Sequence, residues 1–241
     1  MGTISFRFKI ALLISATLSS LILFMFSPFF NFTNITVTGN VQIETEEILT
    51  RAKLDYSTNF FLFSPNQVRQ NIMENHYIDR VMFRRVFPNT LIITIQERFL
   101  SGYIKFLEGV YLYIDEQGRV LDVRPYRGED LPIITGLRFS QFHLGQPLEV
   151  DYPDTFNTVV IYAQLLNQHN LVEYVSQMDV SNPSNTRIRI YNIEVQLGDT
   201  QNAHEKILTL KEIIQVWSDF RIERGVLSLQ EIAHQYIFLR I

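Results

Sequence analysis

Apolar residues dominate one uninterrupted stretch near the N-terminus. The 17 residues from Ile10 to Phe26 carry no charge, and the uncharged run continues to Phe32. A helix rises about 1.5 Å per residue, so this run covers roughly 34 Å, enough to cross the hydrocarbon core of a bilayer. The pattern predicts a transmembrane helix over residues 10–31, preceded by a cytoplasmic tail of residues 1–9.

The next segment alternates between strand and helix periodicity. Residues 35–38 alternate as a strand does, and residues 45–53 and 65–75 each begin with residues that favour a helix N-terminus. Two further strands, 81–86 and 91–97, flank a short Pro-Asn connection, and Leu91, Ile93 and Ile95 fall on one face of the second. The order predicts a β-α-α-β-β domain over residues 32–99.

From residue 100 onwards the pattern is dominated by short strands, which predicts a second domain over residues 100–241. Residues 109–121 form a predicted hairpin, and residues 131–136 a short segment typical of a sheet edge, where a proline removes no ladder bond. A helix is predicted at 202–220, with Lys206 outside its apolar stripe. The remaining predicted elements are a helix at 154–168 and strands at 175–180, 186–191, 193–197, 225–229 and 236–241. The fold class is therefore α+β: a single N-terminal transmembrane helix, a small β-α-α-β-β domain, and a mixed, mostly antiparallel β domain with helices.

Charge around the apolar run predicts its orientation. Arg7 and Lys9 precede it, and the first acidic residue is Glu44. Cationic residues are retained on the cytoplasmic side, so we expect a single-pass protein of the cell membrane with the C-terminal part outside the cytoplasm. A cleaved signal peptide is the alternative, but it needs a shorter apolar region and a small-residue cleavage site. The bulky aromatics that end the run favour an uncleaved anchor with an interfacial belt in contact with lipid.

Composition excludes several classes of function. The chain has no cysteine, and its net charge of −4 with no Lys/Arg run argues against nucleic-acid binding. The five histidines are scattered, and neither a nucleophile elbow nor a Gly-rich phosphate loop is present. We therefore expect no catalytic, metal or cofactor site and no small-molecule substrate. An enzyme with a scattered, unrecognised site is the alternative that this pattern leaves open.

Binding through a sheet edge is the function class that remains. The last predicted strand ends the chain and is apolar on both faces, with Tyr236 and Phe238 alternating with Ile237 and Leu239. Edge strands offer backbone donors and acceptors to an incoming strand. A terminal strand that packs on the core and is partly covered by the chain itself is equally compatible with this pattern.

The segment 84–98 resembles a known family. It reads RRVFPNTLIITIQER, and it follows a Val-Thr-Gly-Asn turn at residues 37–40. Both segments are similar to the POTRA domain of the bacterial cell-division family FtsQ, called DivIB in Gram-positive species. The motif positions are Arg84, Arg85, Phe87, Pro88, Asn89, Glu97 and Arg98. Weaker similarities to the family's β domain cover most of the remaining chain.

The resemblance implies a non-enzymatic scaffold of the division machinery that links early and late components. Its implied partners are small bitopic coiled-coil proteins, FtsL-like and FtsB/DivIC-like, which bind outside the cytoplasm. The resemblance implies that the FtsB/DivIC-like partner pairs with an edge near the end of the β domain. The implied partner-binding residues are Leu227, Leu229, Ile232, Tyr236 and Phe238. A POTRA-bearing translocation or assembly component is the alternative, although the segment after Arg98 lacks the alternating strands of a membrane barrel. An ectodomain of another envelope complex is a further alternative.

Overall fold

The computed structural model describes residues 6–55, 57–127, 130–216, 224–231 and 237–240. The chain divides into two compact units, Met1–Arg98 and Phe99–Ile241. The predicted α+β class, with one N-terminal apolar helix, a POTRA-like arrangement and a mixed sheet domain, is confirmed. The predicted domain limits of 32–99 and 100–241 remain predictions.

The first helix, α1, runs from Phe6 to Met25. Its segment Phe8–Met25 is, among the described residues, the one helix long and apolar enough to cross a membrane. The helix ends six residues before the predicted limit at residue 31. A single 3-10 turn, Pro28–Phe30, follows, with the Ser27 hydroxyl accepting a hydrogen bond from the amide of Phe29. Proline lacks the amide hydrogen that a continuing helix needs, which explains why α1 ends before Pro28.

The rest of the first unit has the predicted β-α-α-β-β order. Its elements are β1 Asn34–Thr38, α2 Thr45–Ala52, α3 Pro65–Met73, β2 Ile78–Val86 and β3 Thr90–Glu97. The sheet order is β1-β3-β2, with β1 parallel and β2 antiparallel to the central β3. Leu91, Ile93 and Ile95 of β3 are buried with Ile48 and Ile72 of the two helices. The predicted core face of β3 is thus confirmed.

Local signals place the two helices of this unit. Pro65 occupies the first turn of α3 after Ser64, as predicted. Glu44 occupies the N-cap position of α2 without a hydrogen bond from its side chain to the helix, and Glu46 and Glu47 lie in the first turn. Acidic residues there interact favourably with the positive end of the helix dipole, so α2 begins at the predicted place.

The second unit is built on one nine-stranded sheet. Its strands are β4 Leu100–Leu107, β5 Val110–Asp115, β6 Val120–Arg124, β7 Ile133–Thr135, β8 Val175–Asp179, β9 Thr186–Ile190, β10 Ile193–Gly198, β11 Gly225–Ser228 and β12 Ile237–Arg240; its helices are α4 Pro153–Gln168 and α5 Ala203–Val216. The order across the sheet is β12-β11-β10-β9-β8-β7-β4-β5-β6. Five strand pairs are antiparallel and three are parallel, as the mixed, mostly antiparallel prediction required.

The short strand β7 corrects the expectation of an edge segment. It lies inside the sheet, parallel to β4 on one side and to β8 on the other. Pro132 precedes the strand, and its carbonyl accepts a hydrogen bond from the amide of Tyr103 at 3.0 Å. A Cβ on Gly102 would stand 2.9 Å from both Ile134 Cδ1 and the Pro132 oxygen. The absence of a side chain at Gly102 therefore lets the proline-led strand pack centrally.

Both helices of this unit share one core with the sheet. Val159, Tyr162 and Leu166 of α4 and Ile207 and Leu210 of α5 are buried with the strand residues. Lys206, predicted outside the apolar stripe, is only 2% exposed. Its Nζ donates to the carbonyl of Asp199 at 2.9 Å and to the Asp199 carboxylate at 3.3 Å. A long apolar stem permits this burial when the charge finds such oxygens.

Candidate partner-binding edge

Glu97, the acidic residue of the POTRA motif, is a buried structural group. Its carboxylate accepts hydrogen bonds from the amides of Val41 at 2.8 Å, Gln42 at 2.8 Å and Ile43 at 3.1 Å. Those amides belong to the loop that leads into α2. A charged acceptor makes such bonds stronger than a neutral one would. The position of Glu97 at the end of β3 thus sets the path of the chain into α2.

The arginines of the motif contact their own unit. Arg98 forms a salt bridge with Asp79. Arg85 donates to the Phe60 carbonyl at 2.9 Å and lies over the Phe60 ring at 5.2 Å from its centroid. Arg84 is exposed. Arg85 therefore fixes the loop before α3 to β2, a role that the sequence motif alone does not show.

Phe87, Pro88 and Asn89 form the tip of the β2–β3 hairpin. The Asn89 carbonyl accepts from the amide of Thr33 at 3.0 Å, and the Phe87 side chain is 66% exposed. The tip therefore lies beside the segment that follows α1.

The predicted partner-binding residues Leu227 and Leu229 occupy the interior of the second unit. Leu227 is fully buried in β11, and Leu229 is 4% exposed. Strand β11 has neighbours on both sides, β10 in parallel and β12 in antiparallel register. Both side chains are therefore buried in this structure, and their role in partner binding remains a prediction.

Strand β12 is the outermost strand at this end of the sheet in the described part of the chain. Its residues pair Ser228↔Ile237, Leu227↔Phe238, Val226↔Leu239 and Gly225↔Arg240. A Cβ on Gly225 would clash with the carbonyl oxygen of Leu239 and lie 2.7 Å from the Phe238 ring. Gly225 therefore permits the close approach of the edge strand.

The register separates the residues of β12 into two faces. Phe238 lies in a row with Leu227, Val195, Ile188 and Met178, and its ring packs against the core. Ile237 and Leu239 point to the opposite face and are each 61% exposed. Because successive side chains of a strand alternate, this exposure follows from the burial of Phe238. The sequence pattern shows that both faces of this strand are apolar, but it cannot assign Ile237 and Leu239 to the exposed face, because that assignment needs the burial of Leu227.

The exposed face next to β12 is polar. Arg187 of β9 lies 3.8 Å from Asp179 of β8 and 3.7 Å from Glu194 of β10. Glu194 then pairs with Val226, which pairs with Leu239 at the edge. The exposed edge is thus apolar and lies beside a row of charged side chains. Such a surface suits a partner strand with an apolar face and polar flanking residues.

The opposite edge of the sheet is less accessible. Residues 144–147 bridge Arg119 and Val120 at the start of β6, and the amide of Val120 donates to the Gln146 carbonyl at 3.0 Å. This loop covers part of that edge. Of the predicted partner-binding residues, Ile232 and Tyr236 lie outside the described residues.

Within the described residues, no group of three or more His, Asp or Glu side chains is arranged to hold a metal ion. His169 and His204 lie close, with ring centroids 5.3 Å apart. Burial lowers the pKa of His169, and the neighbouring Lys211 and His204 lower it further. This environment favours the neutral imidazole at His169, which lies at the C-terminal end of α4 beside His204 of α5.

Comparison with known proteins agrees with this architecture. Residues 30–98 match the family model described as "POTRA domain, FtsQ-type". The chain is 24% identical over 215 residues to the cell division protein DivIB of Clostridium tetani. This alignment covers 88% of this chain and 81% of the relative. It is 28% identical over 181 residues to DivIB of Clostridium acetobutylicum, covering 75% of this chain and 72% of the relative.

A shorter match joins the chain to a protein with the other family name. Over 113 residues it is 33% identical to the cell division protein FtsQ of Syntrophotalea carbinolica, covering 46% of this chain and 39% of that protein. The resemblance stated from the motif at residues 84–98 is confirmed. Residues 30–98 are therefore an FtsQ-type POTRA domain, and most of the chain is similar to cell-division proteins named DivIB.

Proposed function

We propose that this protein is a membrane-anchored scaffold of the bacterial division machinery, which binds FtsL-like and FtsB/DivIC-like bitopic proteins through the β12 edge. The cell-division role is supported by the DivIB and FtsQ relatives. The edge is supported by one observation above the others: Ile237 and Leu239 are exposed apolar side chains on the outermost strand of the sheet.

In this proposal α1 crosses the cell membrane with Lys9 on the cytoplasmic side, and the rest of the first unit and the whole second unit lie outside the cytoplasm. The basic residues that precede the helix support that orientation. A reporter enzyme that is active only outside the cytoplasm, fused to the C-terminus, should be active. Recovery of a mature protein that begins after the apolar run would contradict the anchor.

Strand addition to β12 uses two sources of affinity. Main-chain hydrogen bonds to the edge contribute about 0.5–1.5 kcal/mol each, net of the bonds to water that they replace. Burial of the exposed side chains of Ile237 and Leu239 contributes more, since fully burying such a side chain yields about 1.5–3 kcal/mol. The apolar pair therefore selects a partner strand with a matching apolar face.

The test changes the exposed pair and leaves the core alone. We expect Ile237→Ser with Leu239→Ser to weaken capture of the two bitopic proteins by about thirtyfold, equivalent to about 2 kcal/mol. Fluorescence titration of the full-length protein in nanodiscs measures this change. Val123→Ser is the matched control, because Val123 is a partly exposed apolar residue on β6 at the opposite edge.

A proline variant tests the main chain separately. Phe238→Pro removes an amide and restricts φ, so it should block strand addition, and Phe238→Ala reports the loss of the ring alone. Thermal melts establish that each variant retains the fold. Normal partner capture by the folded serine and proline variants would place the binding surface elsewhere and refute the edge.

A further inference from the structure

Four apolar side chains are exposed together at one end of the first unit. Phe29 is 57% exposed, Phe61 39%, Leu62 64% and Phe87 66%. They come from three separate segments: the 3-10 turn after α1, the loop before α3 and the β2–β3 hairpin tip. We call these four residues the apolar tip. Large exposed apolar groups that converge from distant segments indicate an interaction surface.

Buried Phe30 joins the apolar tip to the end of α1. Its ring centroid lies 5.3 Å from that of Phe24 in the helix, 5.0 Å from Phe29, 5.1 Å from Phe61 and 5.7 Å from Phe87. The tip is therefore continuous with the apolar surface of the helix, whose residues Leu18 to Phe24 are also exposed.

Asn59 fixes this arrangement. Its side-chain nitrogen donates to the Met25 carbonyl at 3.1 Å, and its side-chain oxygen accepts from the amide of Phe61 at 2.9 Å. The Met25 carbonyl belongs to the last turn of α1, where intrahelical partners are missing. One buried amide thus couples the end of the helix to the loop that carries Phe61 and Leu62.

Several amides in and beside the tip are paired within the protein. The amide of Phe60 donates to the Phe30 carbonyl at 2.7 Å, that of Leu62 to the Asn59 carbonyl at 3.1 Å, and that of Phe30 to the Ser27 carbonyl at 3.1 Å. The hydrocarbon core of a bilayer offers no hydrogen-bond partners, so paired amides favour a segment whose side chains reach the first acyl carbons. The four tip residues belong to turns and loops, and not to a strand to which a partner strand could be added.

We propose that the apolar tip rests in the interfacial layer of the bilayer, with Phe29, Phe61, Leu62 and Phe87 among the lipid headgroups and the first carbons of the acyl chains. Aromatic side chains are enriched at this depth. Arg84 and Arg85, just before the hairpin tip, are exposed cations, and this placement brings them near the lipid phosphate groups. This inference rests on the part of the proposed function in which α1 spans the membrane, and it is independent of partner binding at β12.

Because the chain contains no cysteine, single labels can be introduced cleanly. The full-length protein carries a nitroxide at Leu62→Cys or Phe87→Cys in nanodiscs of phosphatidylcholine and phosphatidylglycerol. Val41→Cys is the matched control: Val41 is 76% exposed and lies beside Glu97, at the far end of β3 from the hairpin tip. Leu18→Cys reports whether α1 is inserted.

We expect labels at 62 and 87 to be several-fold less accessible to a water-soluble nickel chelate than the label at 41, and more accessible to oxygen. Nickel accessibility at 62 and 87 equal to that at 41, with the label at 18 protected, overturns the proposal and leaves the anchor intact. A label at 18 that is accessible to the nickel chelate overturns both the placement of the apolar tip and the membrane insertion of α1. Protection at 62 and 87 without a gain in oxygen accessibility indicates a protein contact and also overturns the lipid assignment.

Discussion

Glu97 in the first unit and Lys206 in the second are buried charged side chains that each hold the loop in front of a helix. Glu97 accepts from three amides before α2, whereas Lys206 donates to the Asp199 carbonyl before α5. That carbonyl also accepts a hydrogen bond from the hydroxyl of Tyr162 at 2.6 Å. Three backbone groups thus depend on one carboxylate in the first unit, while one backbone group has two donors in the second. Loss of the Glu97 side chain therefore leaves more backbone groups without a hydrogen-bond partner than loss of the Lys206 side chain does.

The largest effect is expected for Glu97→Ala. It removes the acceptor of three amides, of which the bond to Ile43 is fully buried. We expect the unfolding free energy of the first unit to fall by roughly 2–4 kcal/mol, given about 1–3 kcal/mol for each buried unsatisfied group and partial compensation by water. Chemical denaturation with hydrogen exchange at residues 41–43 measures this.

Glu97→Gln is the matched control for that variant. Its remaining carbonyl oxygen can serve Val41 and Ile43, which share one carboxylate oxygen in the wild type. We expect about half the loss of the alanine variant. Equal losses of unfolding free energy for the alanine and glutamine variants would contradict the role of the shared carboxylate oxygen. Faster hydrogen exchange in the second unit as well would mean that the hydrogen bonds of Glu97 do not act on the first unit alone.

A smaller effect is expected for Lys206→Met. Methionine keeps the apolar stem, and Tyr162 still donates to the Asp199 carbonyl, so no backbone group loses its last partner. We expect a loss of about 1 kcal/mol in the unfolding free energy of the second unit. Tyr162→Phe with Lys206→Met removes both donors, and a double-mutant cycle should show a loss larger than the sum. Additive losses would mean that the two donors do not share the carbonyl.

The smallest effect is expected for pH, and it concerns the second unit. Burial, with Lys211 and His204 nearby, lowers the pKa of His169 in the folded state. Between that lowered pKa and the unfolded value of about 6.5, the unfolded chain binds more protons, so stability is full above pH 6.5 and falls as the pH is lowered below it. His169→Gln should flatten this slope in denaturation midpoints measured across that range. An unchanged slope would assign the acid sensitivity to other groups.

Apolar surface is displayed differently by the two units. In the first, exposed Phe61, Leu62 and Phe87 lie on loops next to the end of α1. In the second, exposed Ile237 and Leu239 lie on the outermost strand of a sheet. The former suits the interfacial layer of a bilayer, where aromatic side chains are enriched, and the latter suits a peptide strand. Both assignments are proposals with separate tests.

The sequence by itself determined the elements whose signals are local. The charge-free run predicted α1, the alternation of Leu91, Ile93 and Ile95 predicted the core face of β3, and the motif at 84–98 predicted the family. Each depends on residues a few positions apart, whose periodicity and turn chemistry act before the chain is packed. The order β-α-α-β-β followed from the same signals.

The tertiary structure decided everything that depends on a distant partner. It buried Phe30 and Phe32 in the first unit and exposed Phe61 and Phe87 near Phe30, so the exposed aromatic side chains near the end of α1 come from three segments and not from one. It placed β7 inside the sheet and the charge of Lys206 against Asp199. It also turned Phe238 inward and Ile237 and Leu239 outward. The order of the strands, their register and the burial of each side chain depend on contacts between residues far apart in the chain. Such contacts produce no periodic pattern in the local sequence.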